Sequence, residues 1–350
     1  MGYPQNRSEG CPSTSRHGTL VPMNPNTLRL RSPADVVCAI PYLIGFHPSD
    51  SVVVLACDAT TGAYAVRLDL TAAEGLLEHV AGLLARRGPD GVILAGYGPA
   101  GRVTPMIERV RDRLHDHGVR VREALRVEGG RFWSYLCTDT GCCPPEGTFV
   151  DVTASPVAAT AIAGGLVALP DRAELERMVA PAGGPGMRVA TVHAERRLAR
   201  WAENDASRVT ELMAREGVSL VRDVLDRACA GERPPGDEET AWLGVLLSSL
   251  RVRDEAWVRM TEPHLQAHLR LWRHVLTRVA EPYAPAPASL LSFAAWRAGE
   301  GALANIALDR ALSADPAYSM ALLLRELFVS GLPPSSVPLD LTPDDLDEPA

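Results

Sequence analysis

Strand signals stop near Pro170, and this change of periodicity constrains the fold more than any motif does. Before it, short β-branched runs alternate with amphipathic helical stretches; after it, only 3.6-residue apolar spacing is left. The sequence therefore predicts an α/β domain over 28–170, a mixed β-sheet with flanking helices, followed by an all-α, tetratricopeptide-like helical domain over 171–335. A chain of 350 residues is long enough for two such cores. Residues 1–27, rich in Pro, Ser, Gly and Asn, predict a disordered arm, and the acidic stretch 336–350 a disordered tail.

Within the first half, Ser32-Pro33-Ala34-Asp35 starts a helix with a hydroxyl cap, a proline at the first helical position and a carboxylate three residues past the cap. Val36, Val37, Ile40, Leu43 and Ile44 give it one apolar face, and Pro41 predicts a break or kink. Ser51–Cys57 reads as a buried strand and Ala63–Leu70 as an alternating one, joined by a hairpin loop at Asp58–Gly62. Thr71 and Glu74 read as a capping box for a helix striped by Leu76, Leu77, Val80, Leu83 and Leu84 and closed by Gly88-Pro89. A strand Gly91–Tyr97, a helix Pro105–His117 capped by Thr104 and a strand Val119–Val127 make a β-α-β unit. Glu128-Gly129-Gly130 then turns into a last strand, Arg131–Cys137.

The second half predicts a helix near Ala173–Ala180, a linker Pro181–Gly186, and core stripes at Leu220, Val221, Val224, Leu225, Ala228 and at Leu265, Leu269, Trp272, Val275, Leu276, Val279. Gly299, Ala304, Leu308, Ala311 and Pro316 fall at tetratricopeptide offsets. One such unit must stack on its neighbours to bury its faces, which predicts a short solenoid and a protein partner for it.

All 35 basic residues are arginine. Without lysine the chain is neither a Walker-type nucleotide hydrolase, nor a protein kinase, nor a Schiff-base enzyme. The formal charge of -8 argues against nonspecific nucleic-acid binding. No apolar run of about 18 residues predicts a membrane span, and the first residues carry no basic-then-apolar leader, so the expectation is a cytoplasmic protein without a signal peptide.

Cys137, Cys142 and Cys143 hold the most unusual chemistry. Three thiolates are soft ligands that suit a structural zinc, although a fourth donor is missing locally and would have to come from His47 or Glu146. A Cys137–Cys142 disulfide and ordinary buried thiols are the competing readings, and Cys142 or Cys143 with His47 as base would make a nucleophile. The loop Gly45–Ser51 enters the first strand carrying His47, Asp50 and Ser51, although its Asp and Ser side chains more commonly just satisfy local amides. Together His47, Asp50, Ser51, Trp133, Cys142, Cys143 and Glu146 form a candidate ligand pocket. Gly96-Tyr97-Gly98-Pro99-Ala100-Gly101 matches the dinucleotide string G-x-G-x-x-G, but Pro99 removes an amide and a helix starting at Pro105 leaves Gly101 outside it. His264 and His268, four apart, lack the glutamate of a zincin helix and read as ordinary helix residues.

Four stretches carry a resemblance: Ser32–Asp35; Ile40-Pro-Tyr-Leu-Ile-Gly-Phe-His-Pro-Ser-Asp-Ser-Val-Val53; Arg126-Val-Glu-Gly-Gly-Arg-Phe-Trp-Ser-Tyr-Leu-Cys137; and Cys142-Cys-Pro-Pro-Glu-Gly-Thr148. Together, over about Leu28 to Leu332, they resemble the actinobacterial family named domain of unknown function 4192. The resemblance implies a cytoplasmic actinobacterial protein with signature positions at Gly45–Ser51 and Trp133–Gly147. It implies no activity, cofactor or catalytic residue. The expected function is a non-enzymatic interaction or regulatory protein. The alternative is a small-ligand-binding or hydrolase-type enzyme whose pocket joins the Gly45–Ser51 loop to the Cys137–Glu146 segment.

Overall fold

Ser32 caps the first helix as its position predicts: its hydroxyl accepts the Asp35 amide and starts α1 (Pro33–Ile44). The computed structural model describes residues 28, 30–58, 62–337, 342 and 344–346, so the expected N-terminal arm and most of the expected acidic tail lie outside the described residues. Pro41 does not end α1, which continues for another turn; Gly45, left-handed at φ 85°, ends it.

Strands β1 (Ser51–Asp58) and β2 (Gly62–Asp69) pair antiparallel in the expected hairpin. Helix α2 (Glu74–Arg87) crosses to β3 (Gly91–Tyr97), and α3 (Ala100–Asp116) to β4 (Val121–Glu128), which is parallel to β3. Strands β5 (Arg131–Ser134) and β6 (Thr148–Phe149) complete a mixed sheet in the order β2-β1-β3-β4-β5-β6. Alternation sorts the side chains: Val52, Val54, Leu94 and Ala124 pack under α2 and α3, whereas Val53, Leu55, Ala95 and Leu125 face α1 and the helix α4 (Pro156–Ala163). The result is three layers with the sheet in the middle.

Three local expectations fail, each for a reason visible in the contacts. The Thr71–Glu74 capping box does not form, because Glu74 is the first residue of α2 and spends its carboxylate on Arg109 (2.6 Å) and Arg113 (3.4 Å) of α3. Helix α3 starts at Ala100, five residues before Pro105, with the Pro99 carbonyl accepting the Arg102 and Val103 amides at 3.0 Å; Thr104 bonds Tyr135 instead of capping. Strand β5 stops at Ser134, because the Ser134 hydroxyl takes the amides of Leu136 (3.1 Å) and Cys137 (2.9 Å) that a longer strand would offer to a neighbour.

Among the described residues beyond α5 (Arg172–Arg177), every element of four residues or more is a helix: α6 (Pro185–Asp205), α7 (Val209–Cys229), α8 (Asp237–Leu246), α9 (Leu250–Val258), α10 (Leu265–Arg278), α11 (Pro285–Arg297), α12 (Gly301–Ala314) and α13 (Ser319–Ser330). The expected stripes on α7 and α10 lie in one core with α8, α11 and α12. The expected linker is not slack: Ala182 donates its amide to the Thr277 carbonyl at 2.6 Å, and α6 already begins at Pro185. No described helix is long and apolar enough to cross a membrane.

Among their fully buried residues the apolar clusters divide by half, with one exception. Phe46, 2% exposed, leaves the sheet half and is buried in the helical core, beside an isolated bridge to Leu169. A second contact joins α2 to the end of α13, where His79 Nε2 meets the Val329 carbonyl at 2.9 Å and a Cβ on Gly331 would lie 2.6 Å from Leu83.

Candidate functional site

The thiol loop is built by backbone turns hung from the end of β5. The Asp139 carbonyl accepts the amides of Cys142 (3.2 Å) and Cys143 (2.7 Å), and its carboxylate accepts that of Gly141 (2.8 Å). This winding brings the Sγ atoms of Cys137, Cys142 and Cys143 within 4.8 Å of one another, with Cys142 exposed. Sulfurs around one tetrahedral zinc sit roughly 3.8 Å apart, so small rotamer shifts would close the trio on an ion. Burial, then hydrogen bonding from Cys137 and Cys142, pushes the Cys143 thiol up to about 12. A divalent cation inverts that preference, since a coordinating thiol is deprotonated.

Trp133 holds the loop down. Its indole N–H donates to the Pro145 carbonyl at 2.9 Å, and the Arg126 guanidinium lies 3.7 Å over its ring. Arg131 donates to the Gly147 carbonyl at 2.8 Å. Gly147 sits at φ 81°, and a Cβ there would lie 2.5 Å from the Trp133 ring. Gly147→Ala is therefore expected to cost about 1–3 kcal/mol through left-handed strain and overpacking, read as a lowered urea midpoint with an unchanged slope.

The Gly45–Ser51 loop builds a different place, at the end of the sheet where β3 finishes. Asp50 adopts φ 43°, and among the described residues no other non-glycine has a positive φ. Its carboxylate pairs with Arg102 at 2.7 Å and lies 3.4 Å from where a Gly98 Cβ would stand. Gly101 does fall in the first turn of α3, contrary to expectation, but it is Gly96 that packs closely, with a Cβ position 2.3 Å from Val103. A carboxylate beside the turn, where a dinucleotide would bring its phosphates, opposes anion binding there. Ser51 and Tyr97 are register partners, both buried, and the two hydroxyls have no hydrogen-bond partner among the described residues.

The sheet register keeps these two places apart. Ser51, Tyr97, Val127 and Phe132 share one row. Three strand spacings, roughly 14 Å, separate its ends, and the thiol loop lies beyond, between β5 and the edge strand β6. His47 is tied by its amide to Leu169 at 2.9 Å, and Glu146 is exposed; neither joins the group of three sulfurs. Of the expected pocket residues, Asp50 and Ser51 stand at the sheet end and Trp133, Cys142 and Cys143 at the sheet edge, while His47 and Glu146 lie outside the group of three sulfurs.

Both places fall inside the stretch, residues 33–335, matched by the family model described as Domain of unknown function (DUF4192). The chain belongs to the DUF4192 family. No curated protein and no solved structure matches it. In this DUF4192 chain, sequence reasoning missed Arg126 and Gly147 as supports of the thiol loop. Arg126 reads as an ordinary polar position in an alternating strand, and only its pairing with Trp133 reveals the stack. His268 proves to be a core residue, 1% exposed; its Nδ1 accepts the Trp272 indole at 3.3 Å, so Nε2 carries the proton toward the Arg259 carbonyl. Burial pushes its pKa down to about 4, which keeps the ring neutral.

Proposed function

We propose that this DUF4192 protein is a non-enzymatic regulatory protein of the cytoplasm. Its α/β half binds a soft, zinc-class ion through Cys137, Cys142 and Cys143, and its helical half docks a protein partner. The observation that carries this reading is the trio of sulfurs within 4.8 Å on a loop pinned by Trp133 and Gly147. Among the described residues no imidazole or carboxylate lies within 4.8 Å of all three sulfurs, so the group is one of thiols alone, as a soft ion prefers. The exposure of Cys142 favours exchange of the ion over permanent burial, as a sensor requires. The partner reading draws support from the α11–α12 pair at the tetratricopeptide offsets, where the Ser292 hydroxyl reaches the Ala304 carbonyl at 2.8 Å.

Protein purified under reducing conditions without chelator is expected to carry about one zinc-class ion per chain by elemental analysis. Cys142→Ser and Cys143→Ser should each lose most of it. A wild-type content near zero, with all three thiols still titratable, would sink the metal reading.

A further inference from the structure

We propose that the helical half contains a second site, an arginine-lined cleft between α7 and α10 that binds a small phosphorylated organic molecule. The cleft has a volume of about 480 Å³, within the range of small-molecule pockets. Five guanidinium groups line it, Arg227, Arg233, Arg270, Arg273 and Arg278, against one carboxylate, Glu232. In a chain with a formal charge of -8, that is a local reversal of sign.

Two of the five are already neutralised: Arg227 pairs with Asp223 and Glu239, and Arg278 with Asp237 at 3.0 Å. Arg233, Arg270 and Arg273 form no ion pair among the described residues, although Glu300 feels the charge of Arg273. Against Glu232 and the second carboxylate on Arg227, the three unpaired guanidiniums still leave a net positive charge, which a phosphate monoester, carrying about −1.5 to −2, would more than balance. Guanidinium groups match phosphate oxygens in paired hydrogen bonds, which lysine does not do and which this lysine-free chain supplies throughout.

The walls are fixed in advance. His274 Nε2 bonds the Pro235 carbonyl at 2.9 Å and ties the loop after α7 to α10. On the other side the strap before α6 is pressed against the end of α10, where a Cβ on Gly183 would lie 2.6 Å from the Arg278 carbonyl. Val224, Ala228, Ala267 and Leu271 form an apolar floor on which the organic part of a ligand can lie. A site with a rigid apolar floor and a cationic rim selects an organic phosphate over bare phosphate, because only the former uses both.

The test is titration calorimetry on the full-length protein with four ligands: inorganic phosphate, pyrophosphate, a nucleoside diphosphate and citrate. The nucleoside diphosphate is expected to bind most tightly, more weakly as salt rises. Arg233→Ala combined with Arg270→Ala should weaken it by roughly tenfold or more. Both side chains are exposed and unpaired, so the thermal midpoint of the unliganded double variant should match wild type. The proposal is overturned if no phosphorylated ligand gives heat at millimolar concentration, if the double variant binds as tightly as wild type, or if citrate alone binds.

Discussion

Phe46→Ala is expected to destabilise the protein by about 3–5 kcal/mol and to make its two halves unfold separately. Phe46 comes from a loop of the sheet half but is buried at 2% exposure in the core of the helical half, within the cluster that holds Leu175 and Val179. Removing the ring leaves a cavity whose walls belong to separate elements and cannot collapse together. Its neighbours hold it in place: His47 bonds Leu169, and the Arg67 guanidinium lies 5.9 Å from the ring centre. The remaining described links between the halves include the His79–Val329 and Leu83–Gly331 contacts of α2 with the end of α13. Urea unfolding followed by tryptophan fluorescence and by far-UV circular dichroism separates the two events, since five of the six tryptophans lie in the helical half. Phe46→Leu should recover most of the loss. A change below about 1 kcal/mol, with one coincident transition, would mean that the ring does not join the halves.

Glu255→Gln is the second large effect, about 3 kcal/mol. The Glu255 side chain is fully buried on α9 and accepts from Arg222 Nε of α7 (2.6 Å), Arg251 Nη1 (2.8 Å) and Arg259 Nε (2.6 Å). The amide would lose the charge that organises three guanidiniums; because those three are partly exposed, the cost falls at the low end for a broken buried pair. Burial alone would raise the Glu255 pKa, but hydrogen bonds from Arg222, Arg251 and Arg259 outweigh it and hold the carboxyl down at about 2. A folded-state pKa below the ordinary 4.5 contributes stability that is complete above about 4.5 and is lost as the pH falls toward about 2. Wild-type stability should therefore decline steeply through that window, and Glu255→Gln should decline less. Equal acid limbs in urea titrations of the two proteins would refute the assignment.

What was legible in the sequence was whatever a few neighbouring residues decide. The Ser32 cap, the β1–β2 hairpin and the α7 and α10 stripes depend on spacing alone, and they stand where spacing puts them. The start of α3 was hidden because a Thr-Pro pair is the stronger local signal, whereas the real turn depends on Gly96 lying against Val103, a packing fact. The early end of β5 was hidden because the Ser134 side chain, not a turn residue, takes the amides beyond it. The trio of thiols was visible as composition, but its support by Trp133, Arg126 and Gly147 was not, since three separate stretches meet there. The arginine cleft is assembled from still more distant pieces, and in a chain whose every basic residue is arginine no single one of them stands out.

The stretch from Phe46 to Ser51 is fastened at both ends, one in the helical core and one in the buried row of the sheet. Between those anchors Asp50 takes a φ of 43° and pairs with Arg102 at 2.7 Å, so the path of the connector is set within the stretch as well as at its ends. An inserted or deleted residue in this stretch would shift Asp50 off Arg102 or draw the phenyl ring out of its socket. A change in the length of this connector would therefore disturb the packing of both halves at once.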